Sequence, residues 1–232
     1  MFKLETIEKF LYFDVETVCS EKDLSTLRIK NPRLADLWKR RAIYYRGVNP
    51  EMSHLSDDDV YLAKASLEPE FAKIVCVSFG SFSDGEKVFK SFYGVDELDI
   101  LQKSNKVFNN AMGKNWKLCG HNIKGFDVPC LGKRMVYNGI NPSVNLQVWD
   151  KKPWEIPYID TSDIFAFGSW TQQKYLSLDL LSCSLGVKSP KENMDGSKVN
   201  EYFWINEAYE EIKEYCEIDV RTVMDVLEKV CF

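Results

Sequence analysis

Two runs with strand character, Lys73–Gly80 (K-I-V-C-V-S-F-G) and Lys87–Gly94 (K-V-F-K-S-F-Y-G), flank the tetrapeptide S-D-G-E. An Asp-Gly pair between such runs signals a β-hairpin, because its tight turn needs residues that tolerate positive φ. This commits the chain to an antiparallel pair. Residues 9–17 (K-F-L-Y-F-D-V-E-T) read as a further buried strand running from apolar into acidic residues, and residues 18–70 interrupt the unit between it and the hairpin. Within that interruption Pro32–Tyr45 has helical spacing, with Leu34, Leu37, Trp38 and Ile43 apolar and Lys39, Arg40 and Arg41 basic.

Beyond the hairpin the pattern predicts a helix over Asp96–Met112, a short strand Lys117–Gly120 and a helix Asp127–Tyr137 closed by Gly139. Residues 141–157 read as loop, followed by a strand into Ile159–Thr161. Ser177 caps a helix ending at Gly186, 188–197 reads as loop, and one long helix is expected from Asn206 to Val230. Strands alternating with helices in this way predict an α/β fold. A length of 232 residues suits a single domain with a large insertion at about 18–70.

With 45% hydrophobic residues the chain can bury a sizeable core, yet no apolar run reaches membrane-spanning length. Glutamates interrupt M-F-K-L-E-T-I-E-K-F, so no signal-peptide core is expected. Seven scattered cysteines contain no C-x-x-C pair, which argues against a zinc site or a disulfide framework and for buried free thiols. These readings predict a cytoplasmic protein without a membrane partner. A net charge of −5 opposes broad binding to phosphates, so nucleic-acid contact would need a local basic patch or metal ions held by acids.

The chemistry-bearing residues are carboxylates. Alternation along a strand puts Asp14 and Glu16 on one face, with Val15 turned into the core. Two adjacent carboxylates resist joint ionisation unless a cation lies between them, and hard oxygen ligands suit Mg²⁺ or Mn²⁺. A solvated strand end would show the same D-x-E. Gly120 and Gly125 bracket H-N-I-K, and Asp127 starts the following helix, as a ligand or simply as a favourable helix-start acid. Tyr215 and Asp219 share a face of the last helix one turn apart, as a polar site or a buried hydrogen-bonded pair.

In this order F-D-V-E-T, N-I-K-G-F-D and Y-C-E-I-D resemble the three motifs of the DEDD 3′–5′ exonucleases, which have a ribonuclease H-like fold: a mixed β-sheet flanked by helices. The chain is most similar to the proofreading exonuclease domain of family-B DNA polymerases. Tyr215 places it in the tyrosine subclass, since position 214 is Glu where the other subclass carries histidine. Weaker similarity runs through L-E-P-E-F-A-K-I-V-C-V-S, I-D-T-S-D-I-F, S-L-D-L-L and M-D-G-S-K-V.

The resemblance implies a metal-dependent 3′–5′ exonuclease that hydrolyses the terminal phosphodiester and releases nucleoside 5′-monophosphates. It implies two Mg²⁺ or Mn²⁺ ions held by Asp14, Glu16, Asp127 and Asp219, with Tyr215 orienting the attacking water. Thr17 and Asn122 match positions that touch the terminal nucleotide or support the site. Lys124, together with Lys39, Arg40, Arg41 and Arg46, is a candidate for gripping the strand; Phe126, Phe165 and Trp170 are candidates for stacking bases. Single-stranded DNA is the expected substrate. RNA trimming and a non-catalytic module that kept the fold are the alternatives. The chain is too short to contain a polymerase, so proofreading would require a replication or repair polymerase as partner.

Overall fold

The computed structural model describes residues 3–168, 176–188 and 195–231. A single turn of helix, α1 (Leu4–Ile7), leads into strand β1 (Phe10–Cys19). Helices α2 (Leu24–Lys30), α3 (Pro32–Val48) and α4 (Asp57–Lys64) follow before the hairpin β2 (Ala72–Ser83) and β3 (Glu86–Tyr93). Next come α5 (Glu97–Gly113), β4 (Lys117–Gly120), α6 (Asp127–Tyr137), β5 (Ile159–Asp160) and α7 (Thr161–Ala166). The chain continues through α8 (Leu178–Leu185), α9 (Val199–Trp204) and α10 (Tyr209–Lys229).

Among the described residues the strands form one mixed sheet in the order β3-β2-β1-β4-β5. β1 pairs antiparallel with β2 and parallel with β4, which in turn pairs parallel with β5. The β2–β3 turn sits at Asp84 and Gly85, both with positive φ (52° and 81°), as the Asp-Gly signal requires.

Helices cover both faces. Leu11, Phe13 and Val15 of β1 pack with Phe79, Phe108, Leu101, Leu131 and Met135 beneath α5 and α6. Tyr12 points the other way, onto Val220, Val223, Met224 and Leu227 of α10. The segment between β1 and β2 has its own small core around Trp38, Tyr61, Leu24, Leu27 and Phe71. Among the described residues no helix is long and apolar enough to cross a membrane.

Several boundaries differ from the sequence reading. β1 runs to Cys19 rather than ending at Thr17, because Val18 and Cys19 are themselves buried. The expected helix from Asn206 begins at Tyr209, and a separate α9 precedes it. The break falls where Glu207 takes a left-handed φ of 51°, which a continuous helix cannot accommodate. Of the cysteines, Cys183 is exposed and Cys231 half-buried, whereas Cys19, Cys76, Cys119, Cys130 and Cys216 are buried.

Candidate active site

β4 is short, and that shortness makes the site. Its last partner on β1 is Tyr12, so β1 runs on beyond it with one flank open. Asp14, Val15 and Glu16 occupy this overhang. Asp14 and Glu16 share the face with Tyr12, toward α10, while Val15 is buried in the opposite core.

Asp127 reaches the same place from α6. The path from Gly120 to Asp127 is fixed by one buried carboxylate. Asp160 accepts hydrogen bonds from the backbone N–H groups of Asn122 (2.7 Å), Lys124 (3.0 Å) and Ser162 (3.0 Å). Asn122 is held in the left-handed region, at φ 57°. His121 Nε2 lies 2.7 Å from the Leu176 carbonyl and Nδ1 lies 2.8 Å from Thr161 Oγ1. Burial lowers the His121 pKa, so the ring is neutral: Nε2–H donates to the carbonyl and Nδ1 accepts from the hydroxyl. The Val15 backbone N–H, beyond the last β4 partner on β1, draws the Asp127 carboxyl down against the upward push of burial and Asp14.

Gly120 makes this approach possible. A Cβ there would lie 2.3 Å from Ile123 Cγ2 and 2.8 Å from the Phe13 carbonyl oxygen, and the latter is sheet backbone that cannot step aside. Gly120→Ala is expected to destabilise the protein by about 1–3 kcal/mol through overpacking. Thermal unfolding checks this; an unchanged melting temperature would contradict so close a passage.

The third contribution comes from α10. Tyr215, Cys216 and Asp219 face the β1 overhang. The Cys216 thiol donates to Asp14 Oδ2 (3.4 Å) and sits 3.5 Å from the Asp14 carbonyl oxygen. Burial pushes the Asp14 carboxyl up to about 6. Burial also raises Glu16 well above its usual range, reinforced by the charges of Asp14, Asp219 and Asp127. Asp127 is raised by burial and then by Asp14. The Tyr215 phenol is raised by burial and by Asp219, Glu16 and Asp14, which keeps it protonated at neutral pH. Four carboxylates and one phenol from three elements thus share one electrostatic site.

This donor set fits a divalent cation. Ligand atoms of Asp14, Glu16 and Cys216 all lie within 4.8 Å of one another. The carboxylates oppose each other's ionisation, and an intervening cation relieves that opposition. Cys216 escaped the sequence reading, which looked for cysteine pairs, although its place beside Tyr215 was in view. Asp160 caps α7 from the end of β5, which is all its local sequence indicates; only the fold shows that the same carboxylate holds the loop leading to Asp127.

The other candidates sit around this centre. The Thr17 hydroxyl donates to the Ser66 carbonyl (2.7 Å), tying β1 to the end of the β1–β2 segment. Asn122 carries the turn against Gly125. The Lys124 ammonium pairs with Asp163 at 2.9 Å. Phe126 packs against the α5–α6 core and Phe165 against the α10 core. Trp170 lies outside the described residues. Of the α3 cations, Lys39 pairs with Asp36, Arg41 with Glu68 and Arg46 with Asp57, while Arg40 is exposed and forms no ion pair with a described residue.

The fold resembles that of a family B DNA polymerase from the hyperthermophilic archaeon Pyrobaculum calidifontis, with a TM-score of 0.54 at 18% identity. That match covers 95% of this chain but 24% of the polymerase, so the chain spans about a quarter of the length of the protein it matches. No curated protein matches the sequence. A family model does match, over residues 66–226, a span that contains Asp127, Tyr215 and Asp219 and leaves Asp14 and Glu16 to be placed by the fold. The chain belongs to the family of predicted 3′–5′ exonucleases related to the exonuclease domain of PolB.

Proposed function

We propose that the protein is a divalent-metal-dependent 3′–5′ exonuclease that removes nucleoside 5′-monophosphates from single-stranded DNA. The observation that carries this reading is the convergence of Asp14, Glu16, Asp127 and Asp219 with Tyr215 at the open flank of β1. Asp14, Glu16, Asp127 and Asp219 are the residues that would hold two Mg²⁺ or Mn²⁺ ions. When bound, such ions supply an activated water and a counter-charge for the leaving 3′ oxygen.

The chain's own groups do the rest. Tyr215 stays protonated, so its hydroxyl donates and orients rather than removing a proton. Cys216 holds the Asp14 carboxylate in place through its thiol. Asp160 and His121 fix the loop that delivers Asp127. Asn122, Lys124 and Phe126 stand on that loop and Thr17 follows Glu16 on β1, and these four are the residues assigned to the terminal nucleotide by the motif resemblance. DNA as substrate follows from the motif resemblance to a proofreading domain, whose partner would be a replication or repair polymerase.

The test uses 5′-labelled single-stranded DNA and RNA of one sequence, incubated with Mg²⁺, with Mn²⁺, or with EDTA. Stepwise shortening from the 3′ end is expected with either metal and not with EDTA, faster on DNA. Faster shortening of RNA would reassign the substrate. No metal-dependent release from either strand would sink the nuclease reading.

A further inference from the structure

The site explains how a strand end is cut but offers few cations to hold the strand behind it. The chain's positive charge is concentrated elsewhere: residues 20–49 hold eight basic side chains and three acidic ones, in a protein of net charge −5. α3 buries Ala35, Trp38 and Ala42 and turns the opposite face to solvent. Arg33, Leu37, Arg40 and Tyr44 form a stripe along that exposed face, at the spacing of successive helical turns. Arg28, at the end of α2, is likewise exposed.

Arg28, Arg33 and Arg40 form no ion pair with any described residue, unlike Lys39, Arg41 and Arg46. The Arg41 guanidinium lies over the Tyr44 ring at 4.9 Å, so the stripe carries a cation-capped aromatic surface as well. At 17 residues α3 is about 25 Å long, enough to follow several nucleotides. The segment is also fastened to the catalytic strand. Thr17, next to Glu16, donates to the Ser66 carbonyl, and Asn200 on α9 accepts the Cys19 N–H (2.8 Å) while donating to the Leu62 carbonyl of α4 (3.1 Å).

We infer that the solvent face of α3, with Arg28 of α2, is a binding surface for the sugar–phosphate backbone of a nucleic-acid strand, engaged upstream of the end being cut. The inference rests on the nuclease reading above for the identity of the polyanion. Unpaired guanidiniums beside an exposed tyrosine suit phosphates and bases together. The basic helix expected from the sequence is therefore redrawn: Arg28, Arg33 and Arg40 are exposed without an ion pair to a described residue, Lys39 is exposed but paired with Asp36 on the same helix, and Arg41 and Arg46 tie α3 to Glu68 and Asp57 within the segment.

The experiment compares wild type with an R28Q/R33Q/R40Q variant, all three positions being exposed and outside the site. Binding of a fluorescein-labelled 20-nucleotide oligo-dT is measured in EDTA across a salt series. Each lost phosphate contact on single-stranded DNA lowers the slope of log K against log salt by about 0.7, so a drop of about 2 is expected. Affinity at low salt should fall about tenfold or more with it. Hydrolysis of thymidine 5′-(p-nitrophenyl) phosphate with Mn²⁺, which has no upstream strand, should be equal in the two proteins. An unchanged slope overturns the proposal, and so does wild-type binding to poly-glutamate as tight as to DNA, which would mark an acidic-protein surface. If neither protein releases p-nitrophenol while the slopes still differ, the surface stands and the nuclease reading fails.

Discussion

Asp14→Asn is expected to reduce metal-dependent nucleotide release by about a thousandfold or more, as loss of a central catalytic group does, while making the metal-free protein more stable. Both effects come from the same charge. Asp14 lies beside Glu16 and accepts from the thiol of Cys216, within the one group of ligand atoms close enough to share a cation among the described residues. Its removal leaves three carboxylates and Tyr215 in place, and a thousandfold loss corresponds to about 4 kcal/mol of barrier. Activity within tenfold of wild type would show that Asp14 is not a ligand.

The stability effect has a definite pH sign. Asp14, Glu16 and Asp127 have folded-state pKa values raised above their unfolded values. The folded protein therefore binds these protons more tightly than the unfolded chain does. Their contribution to stability is fully present below the unfolded pKa of about 4. It is lost as pH rises through the folded values, which for Asp14 means about 6 and for Glu16 and Asp127 higher still. At pH 7.5 in EDTA the variant should melt several degrees above wild type, at about 1–3 kcal/mol and 2–4 °C per kcal/mol. The gap should narrow at pH 5, and Mn²⁺ should raise wild type more than the variant. A variant that melts below wild type in EDTA at pH 7.5 would contradict the raised pKa values.

The second large effect lies away from the site. Glu97 is 8% exposed and accepts from Arg134 Nε (2.8 Å) and Nη2 (2.5 Å), from the Ile74 N–H (2.7 Å) and from Asn138 (3.2 Å). Arg134 also donates to the Pro69 carbonyl (3.1 Å). One carboxylate thus joins α5, α6 and the start of β2, where a bulge between Glu16 and Thr17 disturbs the β1 ladder. Glu97→Ala leaves the guanidinium and the Ile74 amide without their acceptor, at a cost of about 3–5 kcal/mol. For a chain of this size that is roughly 6–20 °C in melting temperature. Replacing both partners, Glu97→Leu with Arg134→Met, should recover most of the loss, since an apolar pair leaves no buried charge behind. A single variant that melts within 2 °C of wild type would show the clamp to be dispensable.

Most elements were legible because their signals are local. The Asp-Gly turn, the Asp96 and Ser177 caps and the start of α6 at Asp127 each depend on residues within a few positions. The overhang of β1 was not legible, because it depends on where β4 stops, and that is a pairing between residues more than a hundred positions apart. For the same reason Asp160 and Cys216 were passed over: each acts on a residue remote in sequence, and nothing beside them announces the partner. The motif residues Asp14, Glu16, Asp127, Tyr215 and Asp219 could be proposed together from the order of three short patterns. Their convergence needed the sheet. The paired state of Arg41 and Arg46 was hidden because their acidic partners, Glu68 and Asp57, lie beyond α3.

The carboxylate of Asp160 has a thermodynamic consequence for substrate capture. By holding two backbone amides of the loop before Asp127, it makes ordering of that loop part of folding. Under the proposed function an arriving strand end then meets a loop already ordered, so most of the ordering cost of binding falls on the strand.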